Sequence, residues 1–507
     1  GRDALGALTT VSDLVAVGRE ALAANTTGTA NTALGRTALG ANTTGASNTA
    51  VGYLSLDANT TASYNSALGY AALGANTTGA SNTGIGAYAL DANTTGAYNT
   101  AVGSSALGGN TTASNNTAVG LQALYTNSTG AGNTAVGKDA LEANTTASNN
   151  TAVGLDALTS ATTGGYNTAL ARQALYSTTT GTYNTAAGSS ALYTNTTGGD
   201  NVAIGADALL DATTGNRNTA LGKSAGANLT TGDDNTAIGR MALFTATTIS
   251  DTVAVGKNAL YSMTTGAGNT AVGYEAGTTL TTAANTTAIG YEALTALTTG
   301  NNNTAVGKEA AEATTTGTEN TAIGKGTLGA NTTGAGNTAV GSSALDSVTT
   351  GGYNTAVGED ALGSNTGSYN SAFGRHALFL NTTGDGLTAV GHQALQANTT
   401  GDDNIAVGGY GPSSGVYAAL YANTTGSYNV GIGVGALRTN TTTNNNVAIG
   451  YSALTNNTAA SNTAIGTNAL SSNTTGTFNV AVGDAVLDSN TTASYNVAVG
   501  YGALQAN

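Results

Sequence analysis

Asn116-Thr117-Ala118-Val119-Gly120 is followed, seventeen residues on, by Asn133-Thr134-Ala135-Val136-Gly137. The same phrase, with small changes, begins at 29 places from Leu14 to Asn496, and 25 of the 28 intervals are 17 residues. Two intervals are 16, ending at Asn370 and Asn462, and one is 25, from Asn404 to Asn429. So constant a period makes residues 1–507 a single repeat array with an insertion at 409–416, and not a string of unlike domains.

With the Asn as position 0, each unit reads Asn-Thr-Ala-Val-Gly at 0–4, Ala-Leu at 7–8 and Asn-Thr-Thr-Gly at 11–14. Position 3 is always Val, Leu, Ile, Phe or Ala, and position 8 is Leu except at Gly226, Gly277 and Ala311. Position 1 is mostly Thr but becomes Val at, for example, Val202, Val253 and Val430, and the exchange of two β-branched and nearly isosteric side chains marks an extended, partly buried site. Position 4 is Gly everywhere but Ala171, as a corner with positive φ or close backbone approach requires. Seventeen residues leave no room for a helix with strands. The fold expected is therefore all-β, a parallel β-solenoid of about 30 coils, each rising ~4.8 Å on the last.

Composition alone suggests disorder: 73 Gly, one Pro, no Trp, and 8% charged residues. The period replaces that reading with one coil counted many times. The absence of Cys removes disulfides and thiolate metal sites. A net charge of −14 disfavours nucleic acid, and no run of apolar residues is long enough for membrane insertion. The chain has no initiator Met and begins and ends mid-unit, so it is expected to be a stretch of something longer.

Position 11 is sorted in blocks. It is Asn at Asn25, Asn42, Asn59, Asn76, Asn93, Asn110, Asn127 and Asn144. It becomes apolar at Leu229, Ala246, Met263, Leu280 and Leu297, then Asn again from Asn365 to Asn507. A stacked amide needs amides above and below, whereas a stacked Leu needs neither, so position 11 reads as an interior ladder. The Asn-Thr-Thr sequons at these positions then point away from any glycosylating enzyme. Most Lys and Arg fall at position 5 and many acids at position 6, as in Lys138-Asp139, which reads as a solvated corner of weak ion pairs.

Convergent, unlike side chains are what catalysis needs, and a repeat supplies the same ones thirty times over; no enzyme activity, cofactor or metal site is expected. His376 and His392 lie in neighbouring units and read as surface residues. Residues 409–416, which hold Tyr410 and Pro412, form a candidate binding loop bulging from a corner. Exposed Tyr residues before the marker, such as Tyr166 and Tyr183, could stack sugars. Ice binding is a minor alternative, because the Thr-Thr pair leaves only one outward Thr file.

If positions 3 and 8 face inward, the Ala of positions 2 and 7 face outward as long small-residue stripes. Burying them calls for a homo-oligomer, most simply a trimer. The phrases at 48–52 and 99–103, each followed by Ala-Leu, resemble the head repeats of YadA-type trimeric autotransporter adhesins. They also resemble the Asn-Thr-Ala-x-Gly arrays of phage and bacterial tail-fibre-like proteins. The resemblance covers essentially the whole chain and implies a left-handed β-roll, three chains around an axis, and a role in surface attachment. The 17-residue repeat departs from the adhesin heads' shorter one. The expected function is a structural extracellular fibre at a cell surface or virion, the shaft of a tail fibre or adhesin, with cell-surface carbohydrate as a candidate partner. The alternative is a self-assembling filament, with or without attached sugar.

Overall fold

The computed structural model describes residues 1–7, 12–411 and 415–505. It divides into two units, Gly1–Thr252 and Val253–Asn507. Both are all-parallel β-solenoids of ~17-residue turns, with no helix among the described residues. The first unit carries strands β1 (Val15–Val17) to β14 (Thr236–Ile238), the second β15 (Val253–Val255) to β29 (Val497–Val499). Every strand is the three residues at positions 1–3 of a turn.

Register is strict. Thr100, Ala101 and Val102 pair with Thr117, Ala118 and Val119. The irregular turns do not disturb it: Thr355 pairs with Ser371 across one 16-residue interval, and Ile405 pairs with Val430 across the insertion. Each short turn lacks one residue of the Thr-Thr pair. Its second Thr is exposed in ordinary turns, so its loss costs no packing.

The corner Gly of position 4 is forced twice. Gly137 has φ +140°, and a Cβ there would stand 2.2 Å from Gly154 O in the next turn. Positions 6 and 8 are also left-handed, although they carry ordinary side chains: Gln122 and Leu124 both have φ +55°. A left-handed Leu costs ~1–2 kcal/mol. Full burial of Leu124 returns ~1.5–3 kcal/mol, and its amide gains a 2.9 Å bond to Ala140 O in the next turn. The packing gain covers the strain.

Here the structure corrects the expected facing of the side chains. Position 8 is interior, but so are positions 2 and 7: Ala118, Ala123 and Leu124 are all fully buried. Position 3 faces outward, with Leu34 47% and Leu68 49% exposed. The strand does alternate, in the opposite phase, with Asn at 0 and Ala at 2 pointing in. The reason is space. At Gly84, a position-2 residue, a Cβ would lie 3.3 Å from Leu73 Cγ, so the interior accepts one methyl and no more. Positions 7 and 8 escape alternation because the left-handed residues at positions 6 and 8 turn the chain on either side of position 7. The Ala stripes therefore offer no oligomer interface.

Candidate functional site

The eight asparagines from Asn25 to Asn144 are fully buried. Each from Asn42 onward donates one Nδ2 hydrogen to Oδ1 of the Asn one turn earlier, at 2.7–3.1 Å. The other hydrogen goes to the position-14 carbonyl of its own turn, at 2.9–3.1 Å. An amide so occupied has neither access nor a free N–H for a glycan. The later ladder spans the insertion, with Asn423 Nδ2 donating to Asn398 Oδ1 at 2.8 Å; Asn507 lies outside the described residues.

A second ladder went unread in the sequence. Asn133, at position 0, is buried; its Oδ1 accepts the backbone N–H of Asn150 at 2.9 Å and its Nδ2 donates to Ala147 O at 2.9 Å. The signal was the recurrence of the marker Asn itself.

Where position 8 is Gly, at Gly226 and Gly277, position 11 is Leu. A Cβ at Gly277 would stand 3.1 Å from Leu280 Cδ1 of the same turn. Leu229, also fully buried, stands at position 11 of the Gly226 turn, where a Cβ at Gly226 would instead meet Leu209 Cδ2 of the turn before at 3.1 Å.

The corner behaves as a solvated edge. Lys138 Nζ lies 2.6 Å from Asp139 Oδ2 and Lys308 Nζ 2.9 Å from Glu309 Oε1, both lysines exposed. Position 12 uses its hydroxyl on backbone, Thr43 Oγ1 donating to Thr60 O at 3.0 Å, which leaves position 13 as the outward file of that pair.

The insertion falls between positions 4 and 7 of its turn. Tyr410 N donates to His392 O as a normal position-6 amide would, and Ala419 and Leu420 resume the interior. Pro412 lies outside the described residues. Tyr410 is half-buried in a run of rings: His376 to His392 at 6.3 Å, His392 to Tyr410 at 6.0 Å, Tyr410 to Tyr417 at 5.7 Å. His376 Nε2 stands 3.3 Å from Asp360 Oδ2. Burial, then the Arg375 and His376 charges, hold the His392 imidazole below its ordinary range.

Among the described residues one group has metal-ligand proximity: Glu292, Glu309 and Glu312, with an oxygen of each within 4.8 Å of the others. Burial raises the Glu312 carboxyl above its usual range, and repulsion from Glu309 and Glu292 adds to it. Lys308 already neutralises Glu309.

Exposed aromatics stack in register where they fall in successive turns. Tyr166 and Tyr183 lie 5.0 Å apart and nearly parallel, as do Phe478 and Tyr495 at 5.2 Å. A further outward feature is aliphatic: position 3 is Val, Leu or Ile in every turn of the two units except at Ala187 and Phe373. The chain matches no protein-family model and no curated protein.

Proposed function

We propose that the chain is the structural shaft of an extracellular fibre, a tail fibre or surface adhesin, built from several copies side by side. The observation that carries this reading is the outward aliphatic file of position 3. At on the order of 60 Å² of apolar surface each, the thirteen Val, Leu and Ile residues of the first unit offer roughly 800 Å², one partner's share of a standard interface. A sheet face of this length left in water would be an exposed patch well beyond that of ordinary monomers. Three copies, each turning this face to a common axis, would bury it and leave the charged corners in solvent. The shaft holds attachment surfaces away from the body that carries it, and repetition multiplies weak contacts.

A shaft tolerates changes in its number of turns, whereas a site-based function does not. Excising residues 269–319, three whole turns, should preserve assembly and shorten the particle in micrographs by ~14 Å. Loss of folding or of assembly on this excision would overturn the reading.

A further inference from the structure

In the first unit a notch of about 520 Å³ opens between position 6 and positions 9 and 10 of successive turns. Two adjacent glycines make it. Gly108 and Gly109 occupy positions 9 and 10 of one turn, between Asp91 of the turn before and Tyr125 of the turn after. The Tyr125 ring lies across the vacant place: a Cβ on Gly108 would stand 3.0 Å from Tyr125 Cε2. Tyr88, at position 6 beside Asp91, forms the second aromatic wall, and Ser105 adds a hydroxyl. Both rings keep substantial exposure, 44% for Tyr88 and 38% for Tyr125.

The Asp91 side chain is half-buried at the surface of the coil. Burial raises its carboxyl above the ordinary range, offset in part by its own amide and that of Ala92. No ion pair among the described residues involves it. A strong, partly desolvated acceptor thus sits beside two tyrosine rings with no cation in the lining. Tyr88 also continues an aromatic track along the same edge, meeting Tyr70 at 5.0 Å, which meets Tyr53 at 5.7 Å, both edge to face.

We infer that this notch binds a neutral pyranose ring of a glycan. The apolar C–H face of a pyranose matches a tyrosine ring, and its hydroxyls donate to a carboxylate acceptor and exchange bonds with a serine. The absence of Lys, Arg and His from the lining, on a chain of net charge −14, excludes sialylated or phosphorylated sugars as preferred ligands. Pockets of 300–1,000 Å³ with few polar groups are of small-ligand size, and an open one gives weak single-site binding, with Kd on the order of 1 mM. The track through Tyr70 would carry a further residue of the same oligosaccharide, as far as Tyr53, whose ring Arg36 covers at 5.2 Å. The inference goes beyond the fibre reading and stands whether or not copies of the chain associate.

Saturation-transfer NMR on the full chain tests it, with lactose, maltose and diacetylchitobiose as neutral probes, sialyllactose as the anionic one and choline as the cationic one. At least one neutral disaccharide should bind, with the strongest transfer to its ring C–H protons. Tyr88→Ala should weaken that binding about tenfold and Asp91→Asn about threefold, with unchanged circular dichroism. Both side chains are at the surface of the coil, so neither variant removes interior packing. No neutral sugar bound at ~20 mM, an affinity that both variants leave intact, or a preference for choline or sialyllactose would each overturn the assignment.

Discussion

Asn144 closes an eight-residue ladder: its Nδ2 donates to Asn127 Oδ1 at 2.7 Å, but its own Oδ1 is buried and accepts nothing. The position that should supply the donor, one turn on, is Ala161. The same orphan recurs at Asn195, before Ala212, and at Asn331, before Val348. Ala161→Asn should therefore stabilise the surrounding turns by ~1 kcal/mol, because it satisfies a buried acceptor. Hydrogen exchange at the amides of residues 140–165 should slow several-fold; faster exchange there would count against the ladder as an energetic element.

Within the ladder the same logic gives a cost. Asn76→Ala removes the donor to Asn59 Oδ1 and the acceptor for Asn93 Nδ2, two partners at once. A loss of ~2–4 kcal/mol is expected, read as an earlier local transition in urea. Substitution of the outward neighbour Thr78 by Ala should change the urea transition by less than ~0.5 kcal/mol.

Position 2 tests the corrected facing. Ala118→Leu forces three extra carbon atoms into a site that has room for one methyl, and should destabilise by at least ~1–3 kcal/mol. Val119→Thr leaves the interior of the coil untouched and should cost less than Ala118→Leu. Were the two effects reversed, the strand would face the other way.

Ala171 is the one non-glycine at the position-4 corner, with φ +111°. Backbone strain of this kind costs ~1–3 kcal/mol, and glycine's greater unfolded-state freedom returns ~0.5–1 kcal/mol of the gain. Ala171→Gly should thus raise stability by ~1 kcal/mol, seen as a later unfolding transition in urea. A destabilised variant would mean that the corner is not strained.

Much of this was readable in the repeat. The period, the corner Gly, the interior Leu of position 8 and the blocks at position 11 each followed from like stacking on like. The phase of the strand did not, because an always-aliphatic position 3 looks like core and an Ala stripe looks like surface. The discriminating sign is tolerance of size. Position 2 changes only from Ala to the smaller Gly, at Gly84 and Gly431, whereas position 3 runs from Ala187 to Phe373. A site that never grows is full, and one that varies this widely has solvent beside it. The Tyr88–Tyr125 notch was less legible still, because its walls come from three successive turns and its opening from two glycines that look like any others.

The central claim, that position 3 is the face on which copies meet, is tested most directly by the mass of the full chain in solution. Light scattering at ~10 µM should give a multiple of 48.9 kDa, three-fold if the copies share one axis. Leu68→Lys, Ile85→Lys and Val153→Lys together place three charges on the outward face without touching the interior. They should return the mass to 48.9 kDa with an unchanged circular dichroism spectrum. A wild-type chain that already runs at 48.9 kDa at that concentration, or a triple variant that remains assembled, would contradict the account.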